Sequence, residues 1–151
     1  MNIAQRNRIL SILLLIIIIG LGYWLYVSIT GPWKEVQKER QITEQVRERM
    51  FQINNAIRFY NDRTGRFPES LDSMMVFLDA DSLFQLRATN ILVMDQFDRA
   101  TFLRSPRTGN TFTYELNSES RPPLYILRDP DSDDHIGTLT RVTDRGAASW
   151  R

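Results

Sequence analysis

The chain of 151 residues has no cysteine, which excludes a disulfide framework, a thiol nucleophile and any metal site built on sulfur. Histidine is nearly as scarce. His135 is the only one, so any histidine-based triad or metal pair would have to use it. It stands beside Asp133 and Asp134 in a loop-like stretch with no serine-bearing elbow, and reads as a solvated loop residue rather than a catalytic one. The seven glycines are scattered and form no phosphate-cradling loop. An excess of one charge is also missing. With 19 Lys and Arg against 18 Asp and Glu, there is no basic field for nucleic acid. These absences predict a non-enzymatic protein, with neither nucleic acid nor a small-molecule substrate as partner.

One long hydrophobic run stands out instead. From Ile9 to Val27 the only residues that are not apolar are Ser11, Gly20 and Gly22. About 20 apolar residues at roughly 1.5 Å each match the hydrocarbon core of a bilayer, about 30 Å thick. A helix there satisfies its backbone groups internally, as lipid requires. The expectation is a transmembrane helix over residues 9–29, with a cytoplasmic tail over 1–8 and an extracytoplasmic domain over 33–151. A cleaved signal peptide is the competing reading, since Arg6 and Arg8 precede the run. Its apolar region would span only about 7–15 residues, however, and Ser28-Ile29-Thr30 is a poor cleavage site.

Orientation follows from charge. No acidic residue precedes Glu35, whereas Arg6 and Arg8 lie in the short tail, which favours an amino terminus in the cytoplasm. Lys34, Lys38, Arg40, Arg47 and Arg49 follow the run, but long domains cross membranes largely regardless of charge. Tyr23, Trp24, Tyr26 and Trp33 then form an interfacial belt on the outer side. Residues 33–66 carry 8 basic and 5 acidic groups, and residues 67–151 carry 9 and 13.

Gly31-Pro32 is expected to kink or interrupt the helix after the anchor. From Trp33 to Asp62 there is no glycine or proline. Val36, Ile42, Val46, Met50, Ile53, Ile57 and Tyr60 recur at helical spacing, so this segment predicts an amphipathic helix packed on its own domain. Phe51, Ala56 and Phe59 widen its distal face, and Lys34 to Gln45 reads as solvated. Thr64-Gly65 stops the helix, and Pro68 to Ser73 looks like the start of a second. Strands are expected at Asn90–Met94, Ala100–Leu103, Thr111–Leu116, Leu124–Leu127 and, more weakly, Ile136–Val142. Thr108-Gly109-Asn110 reads as a hairpin turn. Helices followed by short antiparallel strands predict an α+β domain, with the long amphipathic helix packed on a small sheet.

The one constellation suited to a ligand is Asp129-Pro130-Asp131-Ser132-Asp133-Asp134, with four carboxylates in six residues. Hard oxygens at alternate positions suit Ca²⁺. The glycine and distal glutamate of an EF-hand are misplaced, and turns favour Asp and Ser without any metal.

The order of these features resembles type IV pilin-like proteins and the pseudopilins of type II secretion. Tyr60, then Gly65-Arg66-Phe67-Pro68 and Leu71, is similar to their pattern at the end of the long helix. Ser105-Pro106-Arg107-Thr108-Gly109-Asn110-Thr111-Phe112-Thr113-Tyr114 resembles their hairpin. Asp131, Asp133 and Asp134 with Ile136, and Ser149-Trp150 further on, look like the calcium loop and Ser-Trp ending of the major pseudopilins. The resemblance implies a pilin-like fold in a bacterial inner membrane, with the domain in the periplasm. It also implies Ca²⁺ held by Asp131, Asp133 and Asp134, with Asp129 beside them, and partners among the bilayer and other membrane or envelope proteins. The family's cleavage motif, Gly-Phe-Thr-Leu-Ile-Glu, has no counterpart before the anchor, and no glutamate lies among Ile9 to Ile29. A buried carboxylate is costly and functional where present, so the expectation is a structural or assembly component that does not polymerise. The alternative is an accessory subunit that stabilises an integral-membrane complex, such as a respiratory enzyme.

Overall fold

The computed structural model describes residues 3–92 and 97–151. It is α+β, with two compact units: Met1–Gln41 and Ile42–Arg151. Helix α1 spans Ile3–Thr64 and contributes to both. The expected interruption at Gly31-Pro32 does not occur, because the helix continues through it. A proline removes one backbone hydrogen bond, and the ladders on either side carry the helix past that loss. In the first unit, every large apolar side chain from Ile9 to Ile29 is exposed, from 47% at Ile17 to 71% at Tyr23.

The second unit starts at Ile42. Val36, expected in the buried stripe, is 46% exposed, since the core does not reach that far along the helix. From Val46 onward the stripe is real: Val46, Met50, Ile53, Ala56, Ile57 and Tyr60 are buried. Gly65 adopts a φ of 73°, and its N–H bonds the Asn61 carbonyl at 2.7 Å, closing the helix with a left-handed residue that glycine accepts without steric cost. Helix α2 (Leu71–Ala80) starts just after Ser70, whose hydroxyl accepts the Ser73 N–H while the Ser73 side chain accepts the Ser70 N–H. That reciprocal cap satisfies two donors left free at a helix start.

Two expected strands are helices. Asn90, Ile91 and Leu92 belong to α3 (Ser82–Leu92), while Val93 and Met94 lie outside the described residues. Phe84, Ala88 and Leu92, four residues apart, point into the core; a short apolar run alone does not reveal that period. Ala100 to Phe102 lie in α4 (Arg99–Phe102). Asp98 caps it, accepting from the Ala100 N–H at 3.0 Å and the Thr101 hydroxyl at 2.9 Å. Such a cap favours a helical turn over a strand.

The sheet has three antiparallel strands: β1 (Thr113–Asn117), β2 (Leu124–Arg128) and β3 (His135–Gly137), with β2 in the centre. Before β1, Arg104 pairs with Thr111 as an isolated bridge across the expected turn. In β2 the residues Leu124 to Leu127 are buried on both faces. Tyr125 and Leu127 join the core formed with α1, and the Tyr125 hydroxyl donates to the buried Asn54 at 2.7 Å. The weak run Ile136–Val142 supplies only a three-residue strand, which ends at Gly137 with φ 87°. A side chain there would place its Cβ 2.3 Å from the Tyr125 carbonyl oxygen. Gly137→Ala should therefore destabilise the domain by more than about 2 kcal/mol. Chemical unfolding of the full chain in mild detergent, followed by near-UV circular dichroism, measures this; an unchanged midpoint would remove glycine's role in closing the sheet.

Candidate functional site

The acidic loop joins β2 to β3, and each of its four aspartates has different surroundings. Asp129 is 4% exposed. Its N–H bonds the Asp134 carbonyl at 3.0 Å and its Oδ2 accepts from the Ser132 hydroxyl at 2.7 Å. Its buried Oδ1 has no hydrogen-bond partner among the described residues. Asp131 reaches the hairpin turn, where the Thr108 hydroxyl donates to Oδ2 and Asn110 Nδ2 donates to Oδ1 at 3.0 Å. The bond from Thr108, helped by Asn110, Ser105 and the charge of Arg107, holds this carboxyl below the ordinary value for aspartate. Asp133 is exposed, and its carbonyl faces the His135 Nδ1 at 3.0 Å. A carbonyl only accepts, so the proton sits on Nδ1.

Asp134 is taken by helix α1. Arg47 donates to it twice, from Nε to Oδ2 at 2.8 Å and from Nη2 to Oδ1 at 3.2 Å. The paired, charge-assisted geometry is the strong form of this contact, and it raises the Arg47 guanidinium above its ordinary value. The same guanidinium lies 5.1 Å over the Trp150 ring. Trp150 meets Phe51 edge-on at 5.6 Å, and Arg151 covers Phe51 at 4.9 Å. One helical turn before Arg47, Thr43 accepts from Arg107 Nη2 at 3.0 Å. Three segments distant in sequence thus meet beside the first turns of α1 in the second unit: the hairpin turn, the acidic loop and the Ser149-Trp150 segment.

This arrangement decides what the loop can hold. Ca²⁺ takes 6–8 oxygens, yet no three carboxylates or histidines converge among the described residues. Asp131 is engaged by Thr108 and Asn110 and Asp134 by Arg47, whereas Asp129 Oδ1 has no hydrogen-bond partner among the described residues. Asp131 and Asp134 would have to exchange these partners to join Asp129 and Asp133 around Ca²⁺. Local spacing identified the loop but not Arg47, which lies 87 positions from Asp134; an unpaired-looking arginine on the helix gave no signal of its partner.

Elsewhere, a cleft of about 540 Å³ lies beside His135, Thr138, Thr140, Arg141, Asp144 and Ser149. Another of about 410 Å³ is lined by Arg66, Phe67, Glu69, Leu116, Ser118 and Pro123. In the first, the Ser149 hydroxyl accepts from the His135 backbone N–H at 3.0 Å. Among the described residues the His135 ring bonds only the Asp133 carbonyl, which leaves it without the orienting carboxylate and activated hydroxyl of a triad. Burial pushes the Tyr114 hydroxyl above its ordinary value. It donates to the Pro68 carbonyl at 2.9 Å and so fastens β1 to the turn after α1.

The chain matches no family model, no curated protein and no solved structure. The pilin-type resemblance therefore stands on its motifs alone.

Two outcomes are expected. Arg47→Met and Asp134→Asn should each cost about 1–3 kcal/mol, because each strands a half-buried polar group. The double variant should fall short of their sum by at least about 0.5 kcal/mol. Strict additivity in urea unfolding would mean that the pair contributes nothing jointly. Separately, the melting temperature of the full chain should be the same with calcium as with a chelator. A calcium-dependent rise, abolished by Asp129→Asn with Asp133→Asn, would show that the loop reorganises around a cation and releases Arg47.

Proposed function

We propose that this protein is a membrane-anchored, non-enzymatic structural or assembly component of a secretion- or pilus-type envelope machinery. Its amino terminus lies in the cytoplasm and its folded unit outside. The observation that carries the reading is the unbroken exposure of apolar side chains from Ile9 to Ile29, on the one helix among the described residues that is long and apolar enough to cross a membrane. Water disfavours such a surface by roughly 25 cal/mol for each Å², and lipid removes that cost. In the folded unit, the Arg47–Asp134 pair and the Tyr114 and Tyr125 hydroxyls bond within the chain. The acidic corner, the capped helices and the tyrosine bonds each join one segment of the chain to another.

The exposed apolar residues of the second unit point to a protein partner. Val76, Leu83 and Leu86 are 65%, 42% and 80% exposed on α2 and α3, where a neighbouring subunit would cover them.

The test has two parts. A reporter active only outside the cytoplasm, fused after Arg151, should be active; strong signal from a cytoplasm-only reporter there would reverse the topology. Purification of the full chain in mild detergent should bring down an ATPase and platform-type membrane proteins. Recovery of cofactor-bearing membrane subunits instead would replace the secretion reading with the accessory-subunit one.

A further inference from the structure

Strand β1 stands at one edge of the sheet, and its register with β2 runs unbroken from Thr113–Arg128 to Asn117–Leu124. Backbone groups of successive residues point to opposite edges of a strand. The Tyr125 carbonyl is turned toward β3, where it lies against Gly137. Tyr125 therefore does not bond Leu116, its neighbour across the pair, and Leu116 directs its N–H and C=O away from β2. Tyr114, two residues back, does the same. Phe112 agrees with this alternation, since its N–H bonds the Leu103 carbonyl at 3.0 Å, where Arg104 bridges to Thr111. That pairing does not continue along β1, because Ala100 to Phe102 coil into α4. The N–H and C=O of Tyr114 and Leu116 are thus left without a hydrogen bond among the described residues.

We propose that this edge is a docking site for an extended, basic segment of a partner protein, which adds to the sheet as a fourth, antiparallel strand. The inference rests on the assembly reading above and deepens it by naming the form of the contact.

Strand addition draws affinity from main-chain hydrogen bonds and selectivity from pockets for alternate side chains. Both are present here. A residue paired with Leu116 projects to the same face as Leu116. The cleft of about 410 Å³ that Leu116 lines with Phe67, Pro123, Arg66 and Glu69 opens there, and its Phe67, Leu116 and Pro123 walls suit an apolar side chain. Glu115 points to the opposite face and is exposed. It forms no ion pair among the described residues, and Arg128, diagonal to it across β2, forms none either. A residue paired with Glu115 would be a non-hydrogen-bonded neighbour, the closer of the two kinds of cross-strand pair, so Lys or Arg is matched there. The partner segment therefore alternates apolar and basic residues.

The same carboxylate disfavours a second copy of β1. Antiparallel pairing over all five residues would set two Glu115 side chains against each other. Proline, lysine and bulges, the usual guards of an edge that must stay free, are absent from β1.

Amide exchange of the isotopically labelled full chain in mild detergent, followed by nuclear magnetic resonance, tests this. The probe is a synthetic peptide of alternating valine and lysine. In the free chain the Tyr114 and Leu116 amides should exchange faster than those of Thr113, Glu115 and Asn117, which face β2. The peptide at about ten times its Kd should slow Tyr114 and Leu116 about ten-fold and leave the other three unchanged. The same peptide N-methylated on its valines should have no effect, because those N–H groups face the edge. Glu115→Lys should weaken binding of this peptide, and strengthen binding of a valine–glutamate peptide, by up to about five-fold. Slow exchange of Tyr114 and Leu116 in the free chain would overturn the proposal; slowing that grew with protein concentration would give the edge to a second copy. Equal effects of the methylated and unmethylated peptides, no effect of either, or affinities indifferent to Glu115→Lys would overturn it as well. The assembly reading would survive each of these results, because it is tested separately by what the chain brings down in mild detergent.

Discussion

The apolar side of α1 between Val46 and Tyr60 is the constraint around which the folded unit is arranged. A helix face that wide cannot be left in water, and the chain has no cysteine with which a disulfide could share the burden. Each later element supplies part of the cover. Helix α2 brings Leu71, Met74 and Leu78; α3 brings Phe84 and Leu92; α4 brings Phe102; and the sheet brings Tyr125, Leu127 and Ile136. Deleting any one of these large side chains leaves a void that its neighbours fill only in part. The sheet is small; its central strand β2 is buried on both faces, whereas β1 is exposed or half-buried along its length.

Polar contacts then determine how that wall is oriented. A helix on a three-stranded sheet has several packings of similar apolar area, and area alone does not choose among them. The Tyr125–Asn54 bond inside the core, the Arg47–Asp134 pair at one end and the Tyr114–Pro68 bond at the turn after α1 remove that freedom. Each joins α1, or the turn that ends it, to the sheet region. A shift in register would break a buried bond and leave a polar atom without a partner, at a cost of about 1–3 kcal/mol.

Features written into neighbouring residues were legible in the sequence. The membrane-length run, the stop at Gly65, the alternation leading into β1 and the strand after Pro122-Pro123 all depend on spacing within about twenty positions. Asn90–Leu92 and Ala100–Phe102 were misread because three or four apolar residues carry no period. The decisive information was elsewhere, in Phe84 and Ala88 upstream and in the capping Asp98. At the candidate site, the position of the acidic loop was legible and the partners of its carboxylates were not. Four carboxylates in six residues suggested convergence on a cation, whereas Arg47, Thr108 and Asn110 draw two of them apart. Those partners are distant along the chain, and no local pattern marks them.

The packing of Trp150 against Phe51 bears on the order in which the domain can come together during synthesis. The two rings are 99 positions apart, so the ribosome releases the helix long before it releases the ring that covers this part of it. Ala148, which bridges to Ile136 beside β3, is equally late. Until those residues emerge, the apolar stripe of α1 lacks this far edge, and contacts so distant in sequence form slowly. A nascent chain would spend that interval with part of its stripe uncovered. Partly made domains of this kind aggregate through the surface they will later bury, so the contacts of Ala148 and Trp150 bear on how long that surface stays open.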